Sequence, residues 1–139
     1  MQALYTASAT ATGDGRNGHV RSADGVLDLD LAVPKEMGGP GGDLTNPEEL
    51  FAAGYAACFH SALKAAARLQ KVTLTDTAVT VDIGVGPNGQ GGFQLRAGIE
   101  AEISGVDETT ARQLLDAAHQ LCPYSNATRG NIQVELTLA

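Results

Sequence analysis

Cys58 and Cys122 are the two cysteines of the chain, and the reactions open to it turn on them. A thiolate is a nucleophile, a metal ligand and the starting point for oxidation to sulfenic acid and disulfide. Three kinds of site could be assembled around these residues. The first is a redox dithiol, in which thiols distant in sequence meet in space from inward-directed helix faces. The second is a metal centre completed by His19, His60 or His119, although no CxxC or HxxxH spacing supports it. The third is a Cys-His hydrolase, but His60 follows Cys58 by two residues and faces elsewhere on a helix, while His119, three before Cys122, packs or meets solvent. Beside all three stands the plainer alternative that both thiols are small buried hydrophobes, as free cysteine often is.

A redox site makes demands on its neighbours. Cys58 shares a helical face with Phe51 and Tyr55, at spacings of seven and three, which sets it beside an apolar wall. In mid-helix it gains little from the helix dipole, so ionising it requires a nearby cation. Arg16 is the candidate, because the flanking glycines of Gly13 to Gly18 allow close backbone approach and leave the guanidinium free to enter a pocket. The alternative for Arg16 is a solvated surface side chain. Cys122 precedes Pro123, which pushes it out of the α region and closes a helix there. At such an end the backbone can move, and a mobile second thiol suits a resolving role.

Composition narrows the partners. The 139 residues suit one domain, 1–139, and 43% hydrophobic residues support a core. Aromatics supply only 4%, so small residues must pack the interior closely. A formal charge of -7 without a Lys/Arg cluster argues against nucleic acid or an anionic membrane as partner. Met1 to Gly13 has no basic start and no apolar run of signal-peptide length, so a cytoplasmic location is expected. A reducing compartment argues against a static disulfide and leaves catalytic, metal-binding or buried thiols.

The elements that must position these residues follow from periodicity. Alternation predicts strands over Leu4–Thr12, His19–Ala23 and Val26–Val33, the last two joined at Asp24-Gly25, with Leu27, Leu29 and Leu31 on a buried face. Met37 to Gly42 reads as a turn, without the spacing of a phosphate cradle. Asn46-Pro47-Glu48-Glu49 starts a helix, with Glu49 placed for a capping box, and the helix runs to about Gln70. Its body is apolar nearly all round until Lys64, which predicts burial at the centre of the structure. Alternation resumes from Ala78 to Val85 and from Phe93 to Ile103 as a second hairpin. A helix capped by Asp107, with Ala111, Leu114, Leu115, Ala118 and Leu121 inward, ends at Cys122. A loop from Tyr124 to Gly130 and a strand from Ile132 to Leu138 complete an α+β fold of antiparallel sheets.

Four strings, ATATGDGRNG, GGPGG, TNPEELFAAGYAACF and CPYSNATRGN, resemble in order and spacing the organic hydroperoxide resistance (Ohr) proteins of the OsmC/Ohr family, over nearly the whole chain. CPYSNATRGN is closer to the Ohr branch than to the OsmC branch. The resemblance implies a peroxidatic cysteine at Cys58 and a resolving cysteine at Cys122, with Arg16 and Glu48 assisting the former. It also implies an intertwined homodimer, two long helices in its middle and sheets wrapped around them. The implied activity is a thiol peroxidase for alkyl and lipid hydroperoxides, needing no cofactor and re-reduced by a lipoylated protein dithiol. In that scheme Glu48 anchors Arg16 by a bidentate ion pair, and Phe51 lines an apolar substrate pocket. A redox sensor without turnover, or a metal-binding structural dimer, is the alternative use of the same thiols.

One consequence is geometric. Glu48 and Cys58 lie ten residues apart on one expected helix, about 15 Å along its axis. A glutamate side chain does not span that distance, so the Glu48 beside a given Cys58 is expected to come from the other subunit.

Overall fold

The structure, a computed structural model, describes residues 1–139. The chain divides into two compact units, Met1–Leu50 and Phe51–Ala139. The first unit holds three short antiparallel strands in the order β1 (Ala9–Thr12), β2 (His19–Ser22) and β3 (Asp28–Asp30). Strand β1 is shorter than its alternation suggested, and Leu4 and Tyr5 ahead of it are exposed. The turn after β2 closes where Asp24-Gly25 predicts it: Ser22 and Leu27 are bonded across it, and Gly25 takes a positive φ that costs glycine little. The leucine face of β3 is only partly closed, since Leu31 is buried whereas Leu27 is exposed. Lys35–Met37 forms a 3₁₀ turn that leads into the glycine-rich segment.

Helix α1 runs from Pro47 to Leu69. Proline at its first position gives up no needed donor, and Asn46 Oδ1 accepts the Glu49 amide at 2.8 Å. The capping box is only half made, because the Glu49 carboxylate accepts instead from the Thr45 hydroxyl at 2.9 Å. The helix stops where Lys71 enters the left-handed region. Its burial is one-sided, not all round: Tyr55, Phe59, Leu63, Ala66 and Ala67 are inside, while Ala53, Ala57, Ser61 and Lys64 face outward.

The second unit pairs β4 (Thr77–Pro87) with β5 (Phe93–Ile103) over their full length, from Thr77 opposite Ile103 to Pro87 opposite Phe93. Side chains alternate along both strands, so Val81, Ala97, Ile99 and Ala101 face a core shared with α1 and with α2 (Glu108–Leu121). Asp107 caps α2 by accepting the Thr110 amide at 2.8 Å. Ala111, Leu114, Leu115 and Ala118 are buried as their spacing predicts, but Leu121 at the end of the stripe is exposed.

Two expectations fail at the C-terminus. Tyr124 to Gly130 is largely helical: Pro123–Thr128 forms α3, capped by Cys122. The last strand, β6 (Val134–Leu138), pairs parallel to β5, with Ala97 opposite Val134 and Ala101 opposite Leu138. The cause is the connection, since helices between two strands return the chain to the starting end of the sheet and leave the next strand parallel. The fold is α+β, with two three-stranded sheets, the first antiparallel and the second mixed.

Candidate active site

Helix α1 carries Cys58 and the junction of α2 with α3 carries Cys122, and packing brings the two sulfurs to 3.6 Å, with both thiols free. A disulfide bond is about 2.05 Å long, so closing one requires the sulfurs to approach by roughly 1.5 Å. Cys122 is not at a loose helix end. It caps the C-terminus of α2 through its amide on the Ala118 carbonyl at 2.9 Å, begins α3, and has no exposed surface. Cys58 is half-buried and is the more accessible of the pair.

Helix α3 explains the order at these sulfurs. Pro123 occupies the first helical position and has no N–H to give, so the next amides are the first that can donate. The Tyr124 amide donates to Cys58, and the Ser125 amide donates to Cys122 Sγ at 3.5 Å. A short helix inserted after Cys122 thus places one donor on each sulfur.

Aromatic rings close one side. The Phe51 ring lies 6.2 Å from that of Tyr55 and 6.0 Å from that of Tyr124, edge to face with the latter, and the Tyr55 and Tyr124 centroids are 5.6 Å apart. Gly54 makes room for this contact, because a Cβ there would lie 2.9 Å from Tyr124 Oη. Burial is the main force on Cys58 and pushes its thiol above the ordinary cysteine value. The neighbouring Cys122 adds to the rise and the Tyr124 amide opposes it. These causes all lie within Phe51–Ala139, and no cation of that unit is among them.

The cation of interest lies in the first unit. Arg16 sits in the 3₁₀ turn Gly15–Asn17 between β1 and β2, where Gly13 and Gly15 have positive φ. The Val33 amide bonds Asn17 Oδ1 at 2.8 Å and the Leu31 amide bonds the Gly18 carbonyl at 2.8 Å, which fixes the turn. Arg16 Nη1 and Nη2 donate to the two carboxylate oxygens of Glu48 at 2.8 and 2.7 Å. This fork-to-fork geometry is the strongest an arginine makes with a carboxylate. The hydrogen bonds from Arg16 hold the Glu48 carboxyl below its ordinary value, and those to Glu48 raise Arg16 further. Glu48 is therefore ionised and the guanidinium is fixed in direction.

The residues singled out from sequence thus fall into two groups: Cys58, Cys122 and Phe51 in one unit, Arg16 and Glu48 in the other. Sequence reasoning missed Tyr124 and Gly54, although Cys122-Pro123 is a legible helix start as well as a stop. His60 bonds Thr77 at 2.7 Å, and His119 bonds Ser125 at 2.8 Å. No three His, Cys, Asp or Glu side chains converge in an arrangement that could hold a metal ion, and no helix is long and apolar enough to cross a membrane.

Residues 39–137 match the OsmC-like protein family. The organic hydroperoxide resistance protein of Xanthomonas axonopodis pv. citri (strain 306) is 53% identical over 98% of this chain and 95% of that one. An organic hydroperoxide resistance protein from Elizabethkingia anophelis, with thiocyanate from the crystallisation medium bound, superposes with a TM-score of 0.95 at 51% identity, covering 100% of this chain and 99% of that one. A Vibrio cholerae structure, described as a putative organic hydroperoxide resistance protein with captopril in one of the active sites, superposes with a TM-score of 0.92 at 52% identity, over 99% of this chain and 94% of that one. With that likeness along nearly its whole length, the chain belongs to the organic hydroperoxide resistance proteins of the OsmC/Ohr family.

Proposed function

We propose that the protein is a cysteine-based peroxidase that reduces organic hydroperoxides to alcohols. The observation that carries this reading is the 3.6 Å approach of an accessible thiol, Cys58, to a fully buried one, Cys122, beside an aromatic wall. The Cys58 thiolate attacks the terminal oxygen of the hydroperoxide. The O–O bond breaks, and the alkoxide leaves with the proton the thiol gave up, which leaves Cys58 as a sulfenic acid. Cys122 then attacks that sulfur: the S–S bond forms, the S–O bond breaks and water departs. A dithiol restores both thiols by exchange. Its first attack falls on Cys58, the sulfur that solvent reaches. A dithiol of the lipoylated-protein class suits this step, and Phe51 and Tyr124 favour alkyl and fatty-acid chains over hydrogen peroxide.

The thiolate needs a cation that its own unit does not supply. Arg16, oriented by Glu48, is the group for that task. Glu48 precedes Cys58 by ten residues on the continuous helix α1, about 15 Å along the axis. The ion pair therefore serves the Cys58 of a second copy, in a homodimer whose active sites straddle the interface. The outward stripe of Ala53, Ala57 and Ser61 on α1 leaves a face on which another helix could pack closely.

The test is multiple-turnover loss of an alkyl hydroperoxide under a lipoyl-type dithiol, with Cys58→Ser as control. Many turnovers in the wild type, none in the variant and a preference over hydrogen peroxide are expected. A single stoichiometric oxidation would identify a redox sensor instead, and full activity in Cys58→Ser would overturn the assignment.

A further inference from the structure

The proposed cycle leaves one buried cluster beside the sulfurs unused. His119 Nδ1 lies 2.8 Å from Ser125 Oγ, Ser125 Oγ 2.8 Å from Tyr55 Oη, and Tyr55 Oη 3.1 Å from Thr128 Oγ1. Thr128 Oγ1 in turn lies 3.2 Å from the Ser125 carbonyl oxygen. Tyr55 and Ser125 have no exposed surface and Thr128 only 4%, so water does not compete for these bonds.

Counting protons fixes the direction of the whole chain. A carbonyl only accepts, so the single Thr128 proton goes to the Ser125 carbonyl. Tyr55 must then donate to Thr128, which commits its one proton. Ser125 must donate to Tyr55, and its oxygen is left to accept from His119. The ring therefore carries hydrogen on Nδ1. Burial pushes the His119 pKa down, Arg129 adds to that and Asp116 opposes it, so the ring is neutral near pH 7 and the tautomer is a definite choice.

Ser125 is the link to the sulfur chemistry. Its hydroxyl is held from two sides and its carbonyl from a third, while its amide donates to Cys122 Sγ. We infer that His119, as the Nδ1–H tautomer, is a positioning residue for closure of the Cys58–Cys122 disulfide, fixing Ser125 so that its amide holds the Cys122 sulfur against Cys58. The inference rests on the proposal that Cys122 resolves Cys58. His119 neither gives nor takes a proton in that step, because the Cys122 proton leaves with the sulfenic hydroxyl as water.

Two measurements on the full-length protein test it. Nitrogen-15 NMR of the histidines at neutral pH should show His119 protonated at Nδ1, and an Nε2–H ring would overturn the inference. Rapid mixing with an alkyl hydroperoxide, with dimedone trapping the sulfenic acid, gives the rate of disulfide closure relative to Cys58 oxidation. His119→Leu should lower that ratio about tenfold, and Ser125→Ala likewise. His119→Asn, whose amide N–H can replace Nδ1–H, should restore it to within about threefold of the wild type. An unchanged ratio in His119→Leu would overturn the inference, and if that variant fails to fold the tautomer decides. Wild-type protein that consumes no hydroperoxide would sink the peroxidase reading, while the tautomer would still report on the hydrogen-bond chain.

Discussion

Met1–Leu50 and Phe51–Ala139 hold opposite kinds of chemistry. In the first unit the charged groups are paired near the surface: Arg16, in the turn between β1 and β2, with Glu48 at the start of α1, and His19 of β2 between Asp30 at 2.6 Å and Asp28. In the second they are sulfurs set against an apolar core, where burial keeps the Cys58 thiol protonated at higher pH than usual. Each arrangement lacks what the other has. A guanidinium locked to a carboxylate has direction but no nucleophile, and a desolvated thiol has a seat but no charge to stabilise its thiolate. The proposed chemistry needs both, and the proposed homodimer brings them together from different subunits.

The contrast can be broken in several places, and the largest effect is expected at Arg16. Arg16→Leu should slow hydroperoxide reduction by about 10²-fold or more and move Cys58 alkylation to higher pH. An unchanged alkylation profile would show that the thiolate draws its stability from elsewhere. Next is Cys122→Ser, which should stop turnover under the dithiol but leave a single oxidation, with the sulfenic acid trappable by dimedone. A variant that keeps wild-type turnover under the dithiol would contradict the pairing. Phe51→Ala should raise KM for a bulky alkyl hydroperoxide about tenfold and change that for hydrogen peroxide little.

The smallest effect is on stability. Glu48 has its carboxyl lowered by Arg16, so the ion pair stabilises the fold above the ordinary carboxylate range, and that contribution is lost as pH falls through the lowered value. Arg16 is 42% exposed, so the gain is at most about 1 kcal/mol. The gap in urea midpoint between wild type and Glu48→Gln should therefore be present at pH 7 and shrink towards pH 3. A gap independent of pH would point to packing and not charge.

Much of this was legible in the residues. Asn46-Pro47 and Asp107 announced helix starts that the structure confirms, and seven- and three-residue spacings put Phe51 and Tyr55 on the face of Cys58. The glycines around Arg16 marked its turn, which the structure forms over Gly15–Asn17, while its service to Cys58 is a proposal. Glu48 was not, since only the resemblance pointed to it. Helix α3 was hidden because Cys122-Pro123 reads as a stop, whereas proline at a first helical position is equally a start. Missing α3 hid the amides on both sulfurs and the role of Ser125. The parallel β6 was hidden because register across a helical connection is a tertiary property that alternation does not encode. The exposed Leu27 and Leu121 show the limit of periodicity, which marks a face but not what covers it.

The central claim is that a cation from one subunit serves the sulfur of the other, and mixed dimers test it most directly. Cys58→Ser and Arg16→Leu chains, each inactive alone, would be unfolded together, refolded and assayed with an alkyl hydroperoxide. Half of randomly paired dimers would then join an intact Cys58 to an intact Arg16 at one site, restoring about a quarter of wild-type activity. A mixture no more active than its parents would mean that each site is built from one chain.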